Sequence, residues 1–300
     1  MITRRTMVEG SLMQLQPAAL RYEVWDVFTS QPFGGNPLAV FFNSDALTVE
    51  QMFALTREMN HSETTFVTRH QKVRIFTATE ELPFAGHPVL GTAFALQRRN
   101  PRESLITVQV PQGPIQVRFT GTSAMMLQQA PEFRELHEAA VIAPMLGIDP
   151  GDLVANLPIQ TVSTGRSNLI VMLKTMAAMK SVRFNWPALQ EYFAKGDVQR
   201  GIYLLTRDTI DIASLVFARK LTPRLEDPAT GSAAGCAAAY LVKYNLAPSG
   251  ITVKMEQGHL MGRPSELLLS AVKQSGGAVT QVQVGGSSVL LLEGSVHRLR

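Results

Sequence analysis

Two stretches of this chain lack the usual alternation of apolar and polar positions. From Ala233 to Leu246 most residues are small or apolar, and Gly91 to Leu96 begins a second run of the same kind. A helix that is apolar on all sides must be buried on all sides, so both runs predict central helices. The same signals precede each. Residues 215–221 read as a strand, and Asp227-Pro228-Ala229-Thr230-Gly231-Ser232 as the loop before the first helix. Residues 73–76 read as a strand, and Pro83-Phe84-Ala85-Gly86-His87-Pro88 as the loop before the second. Pro88 suits an early helical position, which puts His87 near the N-cap. The chain therefore carries one strand–loop–helix device twice.

Most of the remaining apolar positions fall in short runs of β-formers. Strands are expected at 22–28, 38–42, 64–67, 105–110, 115–119 and 125–128, then at 158–163, 169–173, 201–206, 212–221, 251–256, 266–272, 278–284 and 289–292. Gly276-Gly277 and Gly285-Gly286 read as separators of the last three. Three further helices are expected. One is capped by Thr48 with Gln51 three residues on, one spans 136–146 before Gly147, and one starts at Trp186-Pro187.

The pattern predicts an α+β fold of two similar halves, each a curved, barrel-like sheet around one apolar helix. A doubly wound α/β fold is disfavoured, because too many strands are joined by short turns. The halves are placed at 21–130 and 131–287, with Ala130-Pro131 between them, and the last strand, 288–300, is allowed to return to the first half. Residues 1–20 read as a poorly ordered leader. Gln14, Gln16 and Pro17 interrupt any apolar core there, so it is not a signal peptide.

Composition narrows the function. An apolar fraction of 45% and a charged fraction of 17% in 300 residues support a sizeable core. No apolar run approaches the roughly 18 residues of a membrane span. The net charge is +4, but the basic residues are dispersed and no aromatic residues interleave with them. Nucleic-acid binding is not indicated; a small acidic substrate suits the balance. Cys236 is the sole cysteine, which excludes an intrachain disulfide and two-thiol chemistry and fits a cytoplasmic setting.

A helix N-terminus offers unpaired N–H groups and a favourable dipole to an anion. Two of them across a cleft would hold a small carboxylate, which makes Gly86, Gly231, Ser232 and Ala233 the expected substrate-binding residues. Glu63, His87 and Asp227 are the candidate acid–base groups. Each has a plainer reading. Glu63 precedes a β-branched run and either faces solvent or stands at the mouth of a cleft. His87 and Ser232 also serve as helix-start residues, and Asp227 as a turn initiator. No dinucleotide fingerprint, P-loop or nucleophile elbow occurs, and His87, His137, His259 and His297 are too scattered for a zinc site. A cofactor-free, metal-free acid–base enzyme fits what remains.

Several motifs resemble the PhzF (phenazine biosynthesis-like) family. They are His61-Ser62-Glu63-Thr64-Thr65-Phe66, Arg74-Ile75-Phe76-Thr77, Glu81-Leu82-Pro83-Phe84-Ala85-Gly86-His87-Pro88 with Gly91-Thr92, and Glu226-Asp227-Pro228-Ala229-Thr230-Gly231-Ser232-Ala233. Gly35-Asn36-Pro37 and Gly262-Arg263-Pro264-Ser265 are similar too. The resemblance runs from about Tyr22 to the C-terminus. It implies the diaminopimelate-epimerase-like fold, with the site between two halves, and a cytoplasmic, often homodimeric, cofactor-independent isomerase. In the phenazine-pathway member, the glutamate matching Glu63 shuttles a proton during isomerisation of trans-2,3-dihydro-3-hydroxyanthranilate, and residues matching His87, Asp227 and Ser232 line the site. Ala85 and Pro228 stand where related epimerases and racemases carry their two cysteines. Variable loops and the segment 183–200 are expected to shape specificity. Two alternatives remain: an epimerase pairing Glu63 with Asp227 or His87, and a metabolite-binding protein without turnover.

Overall fold

The computed structural model describes residues 19–194, 201–223 and 226–297. Nearly all of the expected leader, and residues 195–200 of the expected specificity segment, lie outside them. The fold mixes α and β, with a large sheet and few helices. The strands join into one hydrogen-bonded network.

The first run begins with the hairpin of β1 (Leu20–Val27) and β2 (Asn36–Phe42). Helix α1 (Val49–Met59) follows and carries the expected capping box between Thr48 and Gln51. β3 (Thr64–Val67) lies parallel to β2, β4 (Val73–Phe76) antiparallel to β3, and the short β5 (Glu81–Leu82) antiparallel to β4. Helix α2 (Gly86–Arg99) comes next. β6 (Leu105–Val110), β7 (Gly113–Thr120) and β8 (Ser123–Leu127) then form a meander.

The order of pairings recurs in the second run. β9 (Glu132–His137) and α3 (Ala139–Leu146) lead into the hairpin of β10 (Ile159–Ser163) and β11 (Ser167–Leu173). Helices α4 (Met176–Ser181) and α5 (Trp186–Ala194) follow. β12 (Gly201–Thr206) is parallel to β11, β13 (Val216–Leu221) antiparallel to β12, and β14 (Glu226–Asp227) antiparallel to β13. Helix α6 (Gly231–Lys243) then occupies the place that α2 holds in the first run. β15 (Val253–Gln257), β16 (Ser265–Lys273) and β17 (Val279–Val296) finish the chain.

Both apolar helices are buried as expected. Residues Gly86 to Ala95 of α2 are all buried, as are those of α6 from Gly231 to Val242 except Ser232. The two share one apolar cluster, in which Val89 and Ala93 of α2 join Ala237 and Leu241 of α6. Small residues let strands pack directly on the helix. A Cβ at Gly91 would stand 2.6 Å from Leu38 and 2.7 Å from Val27.

Four expectations need correction. Residues 136–137 are strand, not helix: β9 pairs with β10, and His137 bonds Thr161 at 2.8 Å and Tyr192 at 2.7 Å. The apolar helices start earlier than 91 and 233, at Gly86 and Gly231, and Ala85 is the N-cap of α2. The strand expected at 212–221 starts at Val216, and Ile212 is fully exposed. Gly285-Gly286 separates nothing. β17 runs unbroken through it, pairing first with β16 and β8 and then with β1. Close approach explains these glycines, since a Cβ at Gly285 would lie 1.9 Å from the Ala124 carbonyl oxygen.

Candidate active site

The helix N-termini of α2 and α6 abut. A Cβ on Gly86 would fall 2.9 Å from the Gly231 carbonyl carbon and from the Ser232 nitrogen, and one on Gly231 would fall 3.2 Å from the Gly86 Cα. Any side chain at either position would force the helices apart. The first amides of a helix have no acceptor four residues back. Gly86 and His87 supply two such N–H groups and Gly231, Ser232 and Ala233 three more, while Pro88 supplies none. Both helix dipoles therefore point positive ends at one place.

That place is a cavity of about 260 Å³, lined among others by Glu63, Gly86, His87, Asp227, Thr230, Gly231 and Ser232. Of the expected site residues only Ala233 is missing from the lining. It is fully buried with its methyl in the core, so only its amide belongs to the helix start. Ser232 keeps its hydroxyl at the lining, with no protein partner among the described residues.

Glu63 does not face open solvent. Its side chain is 19% exposed, and one carboxylate oxygen lies 3.6 Å from His87 Nδ1. Burial raises its pKa above the ordinary value, against weaker opposition from a Ser62 hydrogen bond and Arg166. Burial drives His87 the other way, down to about 4, although the Asp227 carboxylate opposes this. The imidazole is therefore neutral near pH 7, and its buried Nε2 has no hydrogen-bond partner among the described residues.

Asp227 ends β14 and is held by a polar frame. The Asn36 amide donates to Asp227 Oδ1 and to the Ala229 carbonyl, each at 2.8 Å, and lies 3.4 Å from His87 Nδ1. The Thr230 hydroxyl donates to Asp227 Oδ2. Gln257 Nε2 donates to the Asp227 carbonyl at 2.7 Å, while Gln257 Oε1 accepts from Thr230 N–H and from the buried Tyr203 hydroxyl at 2.6 Å. Burial, followed by repulsion from Glu63, raises Asp227 to about 6. Two carboxyl groups that resist joint ionisation thus share one small cavity.

The loop bearing Asn36 is pinned from afar. The Arg263 guanidinium donates to the fully buried Asp26 carboxylate at 2.6 Å and to the carbonyls of Gly34 and Gly35 at 2.6 and 2.8 Å. The other Asp26 oxygen accepts from Phe33 N–H. Gly35-Asn36-Pro37 and Gly262-Arg263-Pro264-Ser265, far apart in sequence, are therefore one structural unit.

Sequence reasoning missed part of the lining. Arg166, Ser167, Asn168, Gly201 and Lys220 also face the cavity. They come from the β10–β11 turn and from β11, β12 and β13, and only strand register brings them together. Lys220 is the cross-strand partner of Asp227. Cys236 is fully buried behind this wall, and its thiol donates to the Arg166 carbonyl at 3.4 Å. No group of three or more His, Cys, Asp or Glu among the described residues is placed to hold a metal.

The sequence model of the phenazine biosynthesis-like family matches residues 25–294. The chain belongs to that family. It is 33% identical over 298 residues to the trans-2,3-dihydro-3-hydroxyanthranilate isomerase of Pseudomonas aeruginosa, an alignment covering 92% of this chain and 99% of that protein. Among solved structures, a protein described as a predicted epimerase from Pseudomonas aeruginosa shares 33% identity at a TM-score of 0.80, covering 94% of this chain and 100% of the other. A hydroxyproline epimerase from Agrobacterium vitis, 9% identical, covers 92% of each chain at a TM-score of 0.61, a likeness of fold alone. With relatives named as isomerases over nearly their whole length, the chain is an isomerase of this family. No helix among the described residues is long and apolar enough to cross a membrane.

Proposed function

We propose that this isomerase moves a proton on a small carboxylate-bearing metabolite, without a cofactor, and that Glu63 is the acid–base group. The observation that carries this reading is a carboxyl group of raised pKa in a cavity closed by two abutting helix N-termini. The substrate carboxylate rests on the amides of Gly86, His87, Gly231 and Ser232. Ionised Glu63 takes a proton from a carbon conjugated with that carboxylate. The N–H groups stabilise the negative charge that develops there. Glu63, now a carboxylic acid, returns the proton to another carbon of the same system. Neutral His87 and the Asn36–Asp227 frame hold Glu63 and the substrate in register. The recurrent pairings are read as two halves, each a curved sheet around its apolar helix, with the cavity between them. A homodimer acting in the cytoplasm belongs to the same reading.

The compound named for the Pseudomonas relative is the first to test, within a panel of cyclic and amino-acid carboxylates. Deuterium uptake from heavy water, followed by NMR, reports proton transfer. The expected result is uptake by the parent protein and its loss in Glu63→Gln, with ligand binding retained. Undiminished uptake in Glu63→Gln would sink the assignment. A second reading has a specific basis, because Asp227 shares the cavity and its carboxyl also stays protonated to an unusual pH. Opposed use of Glu63 and Asp227 would make an epimerase. Deuterium confined to a stereocentre that inverts, with no shift of a double bond, would favour that reading.

A further inference from the structure

Arg166 and Lys220 put two cationic side chains on the cavity wall, and among the described residues neither has a carboxylate within ion-pairing distance. The Lys220 ammonium is held in a built position. Asn168 Oδ1 accepts from the Lys220 ammonium, and Asn168 Nδ2 donates to the Arg166 carbonyl at 3.4 Å and to Cys236 Sγ at 3.7 Å. The buried Asn168 amide thus fixes the Lys220 ammonium and the backbone of Arg166, whose side chain is exposed, and Cys236 ties that amide to α6. Gly201 makes the room. A Cβ there would stand 2.1 Å from Lys220 Nζ and 2.8 Å from Asn168 Oδ1. Gly201 is not among the glycines with positive φ, so space rather than backbone conformation calls for a glycine here.

The helix N-termini suffice for one carboxylate. A partly buried ammonium is costly when it lacks an anion and favourable when a ligand anion meets it, and the exposed Arg166 adds a second positive charge at the same wall. Burial lowers the Lys220 ammonium to about 8, with the Asp227 carboxylate opposing this, so it is still charged near pH 7 and a ligand anion would hold that charge more firmly. The cavity's own acids meet the cations only at longer range: Asp227 favours the Lys220 charge and Arg166 that of Glu63, but among the described residues neither acid forms an ion pair with either cation.

We infer that Arg166 and Lys220 bind a second anionic group of the substrate, a carboxylate or a phosphate, and so select dianionic acids over monocarboxylates. This rests on the proposed seating of the first carboxylate at the helix N-termini. It does not depend on Glu63 being the acid–base group.

The test reads binding, so it stands apart from turnover. Butyrate, glutarate and 4-phosphonobutyrate share a chain and a carboxylate and differ in the far end. Calorimetric titration of the full chain gives their relative affinities. Glutarate or 4-phosphonobutyrate should bind about tenfold or more tightly than butyrate. Whichever of the two is preferred identifies a carboxylate or a phosphate as the natural group. Arg166→Gln and Lys220→Met should each cut that advantage to about threefold or less, and Lys220→Arg should retain part of it. Glu63→Gln should keep the full preference, so a failure of the acid–base assignment would leave this result intact. Equal affinity for all three probes, including no measurable binding of any, would overturn the inference. So would a dianion preference that survives in both Arg166→Gln and Lys220→Met.

Discussion

Gly86 and Gly231 touch backbone to backbone, and this contact sets the spacing of the two helix N-termini that floor the cavity. Neither residue has positive φ, so the penalty for alanine comes from contact alone, and it is the sharper at Gly86. Gly86→Ala should therefore destabilise the protein by roughly 1–3 kcal/mol through overpacking. It should also lower carboxylate affinity, because the amides of α2 and α6 would no longer converge. A thermal melt beside a ligand titration checks both, and a variant with parental stability and affinity would show that the helices can slide.

The acid–base pair gives stability a signed pH dependence. Asp227 titrates near 6 in the folded protein against an ordinary 3.8, so its folded form is favoured at low pH and that advantage is lost as pH rises through 6. Asp227→Asn should gain on the parent over that interval, by up to about 2–3 kcal/mol. His87 has the opposite sign. Its pKa falls from 6.5 to about 4, so its contribution is present above 6.5 and lost as pH falls through 4. His87→Gln should gain on the parent as the solution is acidified. Urea denaturation of parent and variants across pH 3.5 to 7.5 measures both slopes.

Arg263 is expected to matter without touching the cavity. Arg263→Met would strand the fully buried Asp26 carboxylate and free the loop that carries Asn36. The cost should be about 3–5 kcal/mol. Arg263→Lys should fall between, because an ammonium cannot span the carboxylate and two carbonyls as a planar fork does. Chemical denaturation ranks the three proteins.

Gly285→Ala tests the unbroken course of β17. The added methyl meets the Ala124 carbonyl oxygen at 1.9 Å and Met125 Sδ at 2.5 Å. Strand β8 should be pushed off, at a cost of roughly 1–3 kcal/mol or more. Amide exchange should quicken from Ser123 to Leu127. A turn at this glycine pair would instead accept alanine with little change.

The twin helix starts were legible because two unusual features coincide: runs too apolar for a surface helix, each preceded by a glycine-bearing loop. Glu63 could not be placed by periodicity, since a carboxylate before a β-branched run looks the same whether it faces water or a cleft. The basic wall was less legible still. Arg219 and Lys220 are adjacent charges at the end of an apolar strand, yet one pairs with Glu226 and the other turns into the cavity. Strand alternation separates them, but only the pairing of β13 with β14 says which faces inward. Residues 136–137 misled because Leu136 and the apolar residues after His137 continue a helical pattern. The ladder to β10 outweighs that local preference. The Gly285-Gly286 pair misled in another way, as glycine marks both turns and close approach.

The pairing of β17 with β1 also bears on how the chain reaches this fold. Strand β1 is made more than half of the described chain before the segment that closes its open edge, Ser288 to Val296. A contact between segments so distant in sequence carries a large loop-closure entropy and slows folding. Until then β1 has only β2 beside it. A nascent chain of this architecture therefore carries an unpaired edge while all the residues between β1 and the end of β17 are made, the state in which chaperones and proteases compete for it.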